Sequence, residues 1–167
     1  AHAYLVPVPT MAQRLVRAQR KIAVARIPFA VPAGDELGPR VSGVLAVVYT
    51  VFTSGYNAVT AGDADRGRLC EEAIRLGRLL RLLMPREAEV TGLLALMLLH
   101  HARRYARTDG AGMVLFDDQD RSRWVTSEIA EGLSLVEQAP QLGPVGQYWL
   151  QAAIAAAQQA ALRVELE

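Results

Sequence analysis

Six side chains between Thr10 and Lys21 carry the strongest chemical signal in the chain. At 100° per residue, Thr10, Gln13, Arg14, Arg17, Arg20 and Lys21 share one helical arc of about 120°. Guanidinium, ammonium, amide and hydroxyl groups gathered in one arc are donors for phosphate oxygens and base edges. Thr10 and Gln13 stand at the helix start, where base edges are met, and Arg14, Arg17 and Lys21 suit phosphates. Met11, Leu15, Ala18 and Ile22 fall on the opposite side and suit a small core. Residues 1–34 hold five basic side chains and no acid, whereas the rest holds 13 basic and 17 acidic ones. A local charge of +5 thus sits on a body of −4. That asymmetry points to a nucleic-acid-binding helix rather than to an evenly solvated face.

Other residue types invite chemistry and support it less well. Asp117, Asp118 and Asp120 are spaced closely enough for a divalent cation, but Arg121 and Arg123 compete for the same carboxylates. The run Asp118, Gln119, Asp120, Arg121, Arg123 and Trp124 therefore reads as a cap and ion-pair cluster opening a helix, with Trp124 anchored in the core. His100 and His101 are adjacent, so on a helix they diverge by about 100° and cannot chelate one ion together. Cys70 has only Glu71 and Glu72 within a turn, and carboxylates raise a thiol's pKa, so it reads as packing. No glycine-rich phosphate loop or nucleophile elbow occurs. The sequence predicts no catalytic role, no metal and no cofactor.

The elements that must hold these residues are helical. Of the 167 residues 51% are hydrophobic and 6% aromatic, a balance that favours helices over sheet. The single cysteine forbids an internal disulfide and suits a reducing compartment, so a cytoplasmic location is expected. The longest apolar runs, Val44 to Phe52 and Val90 to Leu99, fall short of a membrane span. Residues 1–6 read as the end of a helix. Val6-Pro7-Val8-Pro9 then breaks the chain, Thr10 is placed to cap a helix over about 10–25, and the pair makes a helix-turn-helix candidate. Prolines 28 and 32 mark a linker over 27–34, which separates residues 1–26 from a helical body over 35–167.

Five helices are expected in that body, over about 39–53, 65–83, 86–107, 121–138 and 145–163. Pro39 opens the first, which buries Val44, Val47, Val48, Val51 and Phe52. The second carries Leu69, Ala73, Leu76, Leu80 and Leu83 on one face, with Glu71 and Arg75 four apart on the other. The third is apolar all round at Gly92–Leu99 and should be the central helix. The fourth ends before Pro140. Thr108–Gly112 reads as a loop. The fold class is all-α: a helix-turn-helix remnant followed by antiparallel helical hairpins in the manner of tetratricopeptide-like arrays.

These blocks resemble a known family. Tyr4-Leu-Val-Pro and Thr10-Met-Ala-Gln-Arg-Leu-Val-Arg-Ala resemble the end of region 4 in bacterial extracytoplasmic-function sigma factors of the sigma-70 family. Ala25-Arg-Ile-Pro-Phe, Leu69-Cys-Glu-Glu-Ala-Ile-Arg-Leu-Gly-Arg-Leu-Leu80 and Gly92-Leu-Leu-Ala-Leu-Met-Leu-Leu-His-His-Ala-Arg-Arg104 resemble the long helical C-terminal extension of one group. Asp118-Gln-Asp-Arg-Ser-Arg-Trp124 and Ile129-Ala-Glu-Gly-Leu133 extend that likeness. The resemblance implies a transcription initiation factor whose recognition helix, at Thr10 to Lys21, reads the promoter −35 element through Gln13, Arg14 and Arg17. It implies promoter DNA and, through the full-length factor, RNA polymerase core as partners, with no membrane. It also implies a regulatory extension, for which the charge asymmetry suggests an intramolecular contact with the DNA-reading part. The competing expectation is a helical scaffold that binds a peptide or protein in its groove.

Overall fold

The computed structural model describes residues 4–26, 34–56, 64–109 and 112–164. The fold is all-α. Its helices are α1 (Val8–Val24), α2 (Gly34–Tyr56), α3 (Ala64–Leu83), α4 (Ala88–His101), α5 (Thr126–Leu142) and α6 (Gln147–Val164). The only sheet among the described residues pairs β1 (Thr108–Asp109) with β2 (Gly112–Met113) in antiparallel register, Thr108 opposite Met113. This hairpin stands where a loop was expected. The chain divides into two compact units, Ala1–Val44 and Leu45–Glu167. Most of the linker expected over 27–34 lies outside the described residues, and Gly34 already opens α2.

Helix α4 is the centre of the second unit, as its all-round apolar sequence predicts. Every residue from Val90 to Leu99 is buried, and α4 packs against α3, α5 and α6. Two glycines set how closely the neighbours approach. A Cβ on Gly77 of α3 would lie 2.7 Å from Met97 Cε, and one on Gly92 of α4 would lie 2.7 Å from the Trp149 backbone nitrogen of α6. The close approach at Gly77 turns α3 so that Cys70, Ala73, Ile74 and Gly77 face inward. The expected face is therefore corrected: Ala73 is buried, but Leu69 is 38% and Leu83 67% exposed. In α2 the buried row is Val41, Leu45, Val48 and Phe52, whereas Val44 and Val47 lie open. Apolar residues cover more of each cylinder than one neighbour can bury, so rotation is decided by the partner.

Four boundaries depart from expectation for identifiable reasons. Thr10 is not a cap: Pro7, extended at ψ 146°, holds that position, and α1 starts at Val8. Pro39 lies inside α2 rather than at its start; its fixed φ is helical, but there it lacks an N–H and its ring crowds the carbonyl four residues back. Helix α4 stops at His101: its last ladder bond runs from the Ala102 N–H to the Leu98 carbonyl, and the next carbonyl, that of Leu99, accepts the Gln159 side-chain amide at 2.8 Å. Pro140 lies within α5. Its absent N–H would have bonded the Val136 carbonyl, and the Trp149 indole of α6 donates to that oxygen at 2.9 Å instead. The α5–α6 contact thus compensates the proline.

Leu37–Tyr56 is the one stretch, among the described residues, long and apolar enough to cross a membrane by length and composition, at a mean hydropathy of 1.2. It passes because Gly, Ser and Thr interrupt its apolar residues without charging them. Leu45, Val48 and Phe52 on this stretch are buried against protein.

Candidate functional site

Helix α1 presents the predicted donors together. Thr10, Gln13, Arg14, Arg17, Arg20 and Lys21 are all exposed, and no residue of α1 is buried. The helix begins with Pro9 in its first turn, where a missing N–H is cheap, and the Met11 N–H reaches the Pro7 carbonyl at 3.1 Å. No acid stands in its first turn. It ends at Ala25 and Arg26, the latter at φ 46°. The apolar side finds no core: Leu15 is 57% and Ile22 53% exposed. The expected packing face of α1 is thus open, and Met11 alone of it is half-buried. Residues 1–3, where the preceding helix was expected to end, lie outside the described residues.

In the second unit, polar side chains gather at the C-terminal end of α4. His100 and His101 diverge as their adjacency requires. His100 packs edge-on against the Tyr56 ring, 5.2 Å between centroids, and its Nδ1 lies 3.2 Å from the Tyr56 hydroxyl. His101 faces Glu128 of α5, with Nδ1 at 3.0 Å from a carboxylate oxygen, and Arg104 donates to the same carboxylate at 2.9 Å. Burial, aided by Arg103 and Arg107, pushes His100 down to about 4. His101 is also lowered, by burial first, while Glu128 opposes the shift.

Arg103 is buried and donates to Gln119 Oε1 at 3.2 Å and to the Tyr56 hydroxyl at 3.0 Å. Its guanidinium lies over Phe116, 4.6 Å from the ring centroid. Arg107 stacks on Tyr56 at 3.5 Å and donates to the Tyr56 carbonyl at 2.6 Å. Cys70 is buried, with its thiol 3.5 Å from the Phe52 carbonyl. Burial is the main cause that pushes it up to about 11, and Glu71 adds to it. Glu72, the other carboxylate expected to act on the thiol, is engaged by Arg75 in a two-pronged pair at 2.8 and 2.7 Å. The expected Glu71–Arg75 pair is therefore replaced by its i,i+3 neighbour.

The acidic run serves local architecture. Asp118 closes a turn through its N–H to the Leu115 carbonyl. Gln119 is buried and bridges Arg103 to the Val114 carbonyl. Asp120 accepts from the Ser122 N–H at 3.0 Å and its hydroxyl at 2.7 Å, capping a 3-10 turn over Arg121–Arg123. Those bonds hold its carboxyl below the usual range, with Arg123 a smaller influence. Trp124 is buried against Phe116, 5.7 Å between centroids. Among the described residues no three His, Cys, Asp or Glu side chains come together as a metal site would require.

Sequence reasoning missed Glu89. Its carboxylate, on α4, accepts the backbone N–H groups of Gly146, Tyr148 and Trp149 at 3.0, 3.0 and 3.1 Å, capping α6 from another helix. It also missed a cavity of about 530 Å³ lined by Arg78, Arg81, Leu82, Pro85, Leu94 and Glu131. There Arg78 pairs with Glu131 at 2.7 Å, and Arg81 donates to the neutral Gln138 at 2.9 Å.

Taken together, the fold and these polar clusters define an all-α protein organised around one buried helix. Residues 40–140 match the model of a family of unknown function (DUF6596), and the chain belongs to that family. The match runs from within α2 to the last turn of α5, takes in the polar cluster, and leaves α1 and α6 outside. The chain is 43% identical over 166 residues to the uncharacterized protein R00370 of Rhizobium meliloti (strain 1021), covering 99% of this chain and 39% of that protein. The chain therefore spans about two fifths of the length of the curated relative it matches. No solved structure matches it.

Proposed function

We propose that the chain is the C-terminal part of an extracytoplasmic-function sigma factor. In this reading α1 is the recognition helix for the promoter −35 element, and the helical unit that follows is a regulatory extension. The observation that carries it is the exposure of six donors on one acid-free helix. Phosphate contacts from Arg14, Arg17, Arg20 and Lys21 would position the helix, and Thr10 and Gln13 would meet base edges. Initiation would require polymerase core and the rest of the factor, in the cytoplasm where polymerase works. The reading assigns no catalytic step to this chain.

The test is a mobility-shift titration of the chain with a mixed-sequence DNA duplex over a salt series. Binding should weaken steeply with salt, and Arg17→Gln should lower the logarithmic slope by about 1, as the loss of one phosphate contact does. A slope unchanged by Arg14→Gln and Arg17→Gln together would remove α1 from the account. A second reading, a scaffold for a peptide or protein partner, is favoured by the cavity beside Arg78 and Arg81, where Leu79 and Leu82 are 42% and 77% exposed. Retained partner capture by a chain with Arg81→Glu and Leu82→Asp would count against that scaffold role.

A further inference from the structure

Arg103 is buried, and its surroundings differ from those of the arginines that pair with acids. Arg78 has Glu131, Arg75 has Glu72 and Arg104 has Glu128. Arg103 is only 8% exposed, yet its partners are all neutral: Gln119 Oε1, the Tyr56 hydroxyl, His100 Nδ1 and the face of Phe116. Its Nε is buried and, among the described residues, has no hydrogen-bond partner. Four residues on, Arg107 brings a second guanidinium to the same Tyr56, held by a ring face and one carbonyl. Among the described residues neither arginine has a carboxylate in ion-pair reach. A buried charge without a counter-charge is strongly disfavoured, and two of one sign repel each other as well.

We propose that this cluster is a binding site for a small oxyanion, a carboxylate- or phosphate-bearing molecule, received by Arg107 and Arg103. Tyr56, His100 and Arg107 are half-buried and form its outer rim, whereas Arg103 lies beneath. Arg107 is the movable half: off the Tyr56 ring, its planar fork matches two oxygens of one anion. The orphaned Arg103 Nε is the inner donor. Small size is set by the burial of the cluster, which leaves a nucleic-acid backbone or folded partner no approach to Arg103. The lowering of Arg103 by burial and by Arg107 agrees with a site short of negative charge, as does the lowered His100. The site lies within the family match and does not rest on α1 binding DNA.

Scanning calorimetry of the whole chain tests it, with inorganic phosphate or malonate compared with sodium chloride at matched ionic strength. A ligand that binds only the folded state raises the midpoint with its concentration. A rise of several degrees in millimolar anion is expected from phosphate, malonate or both, and the pattern tells which chemistry the site takes. Arg107→Gln should abolish the rise, while Arg14→Gln with Arg17→Gln should leave it intact. No rise beyond chloride, or the same rise in Arg107→Gln, overturns the proposal. A rise lost only in the α1 variant also overturns it, as adventitious binding to the basic helix. Should Arg107→Gln fail to fold, NMR titration of the unaltered chain decides: shifts centred on His100, Arg103 and Arg107 support the site, and their absence rejects it.

Discussion

Burial of its ring, with two guanidiniums beside it, holds His100 at about 4 in the folded chain, against about 6.5 when unfolded. Between those values the unfolded chain binds more protons than the folded one. Stability is therefore full above about pH 6.5 and drains away as the pH falls toward 4. The whole shift corresponds to about 3 kcal/mol as an upper figure, and His101, lowered in the same direction, adds to the slope. Urea unfolding at pH 7 and pH 5 should show a smaller acid loss in His100→Gln than in the unaltered chain. Equal losses would take His100 out of the explanation. Glu89 makes a different prediction. Its three bonds to the start of α6 should be worth about 1–3 kcal/mol, read from the urea midpoint of Glu89→Ala. In the sequence His100 follows directly on an apolar run, Val90 to Leu99, which makes a core or groove position for its ring legible. The sequence does not announce Glu89, because caps are sought among Ser, Thr, Asp and Asn immediately before a helix. Glu89 acts from 57 to 60 residues away.

At the scale of elements, α4 was legible and its neighbours were legible only in part. A helix that is apolar around its whole circumference has one available place, the centre. Leu94→Ala should accordingly cost about 2–5 kcal/mol by thermal or urea unfolding, since Leu94 is 1% exposed. Helices α2 and α3 carry apolar residues over more than one face. Their rotation follows from where backbones come close, and that is written in the partner as much as in the helix. Gly92 makes this testable: a methyl group there meets the Trp149 backbone at 2.7 and 2.8 Å. Gly92→Ala should destabilise the protein by about 1–3 kcal/mol despite its better helix propensity. A neutral result would mean that α4 and α6 can part at little cost. Pro140 and Leu99 carry the same lesson for boundaries, because in each case a ladder carbonyl is claimed by a side chain of α6.

Across the whole molecule, the two units differ in what sustains them. The second is built on α4 and its buried neighbours, whereas no residue of α1 is fully buried. Isolated helices shorter than about 15 residues are marginal in water, and α1, 17 residues long with none of them buried, is little beyond that length. The charge asymmetry of the sequence identified the exposed donors of α1, and could do so because exposed charge needs no partner to be recognised. The Arg103 cluster was not legible, since Tyr56, Arg103 and Gln119 are brought together only by the packing of the second unit. The placement of the indoles turns this contrast into something visible. The chain has two tryptophans; both Trp124 and Trp149 belong to the second unit, and α1 has none. Intrinsic fluorescence is therefore blind to α1, and far-ultraviolet dichroism sees every helix. Warming should erode the dichroic signal before the emission moves, and the gap between the two curves would measure how weakly α1 holds itself. The indoles also differ from each other. The Trp149 indole N–H donates to the Val136 carbonyl, whereas the buried indole nitrogen of Trp124 has no acceptor among the described residues. Trp124 should therefore supply the bluer share of the emission, a built-in colour label for the packing around Phe116.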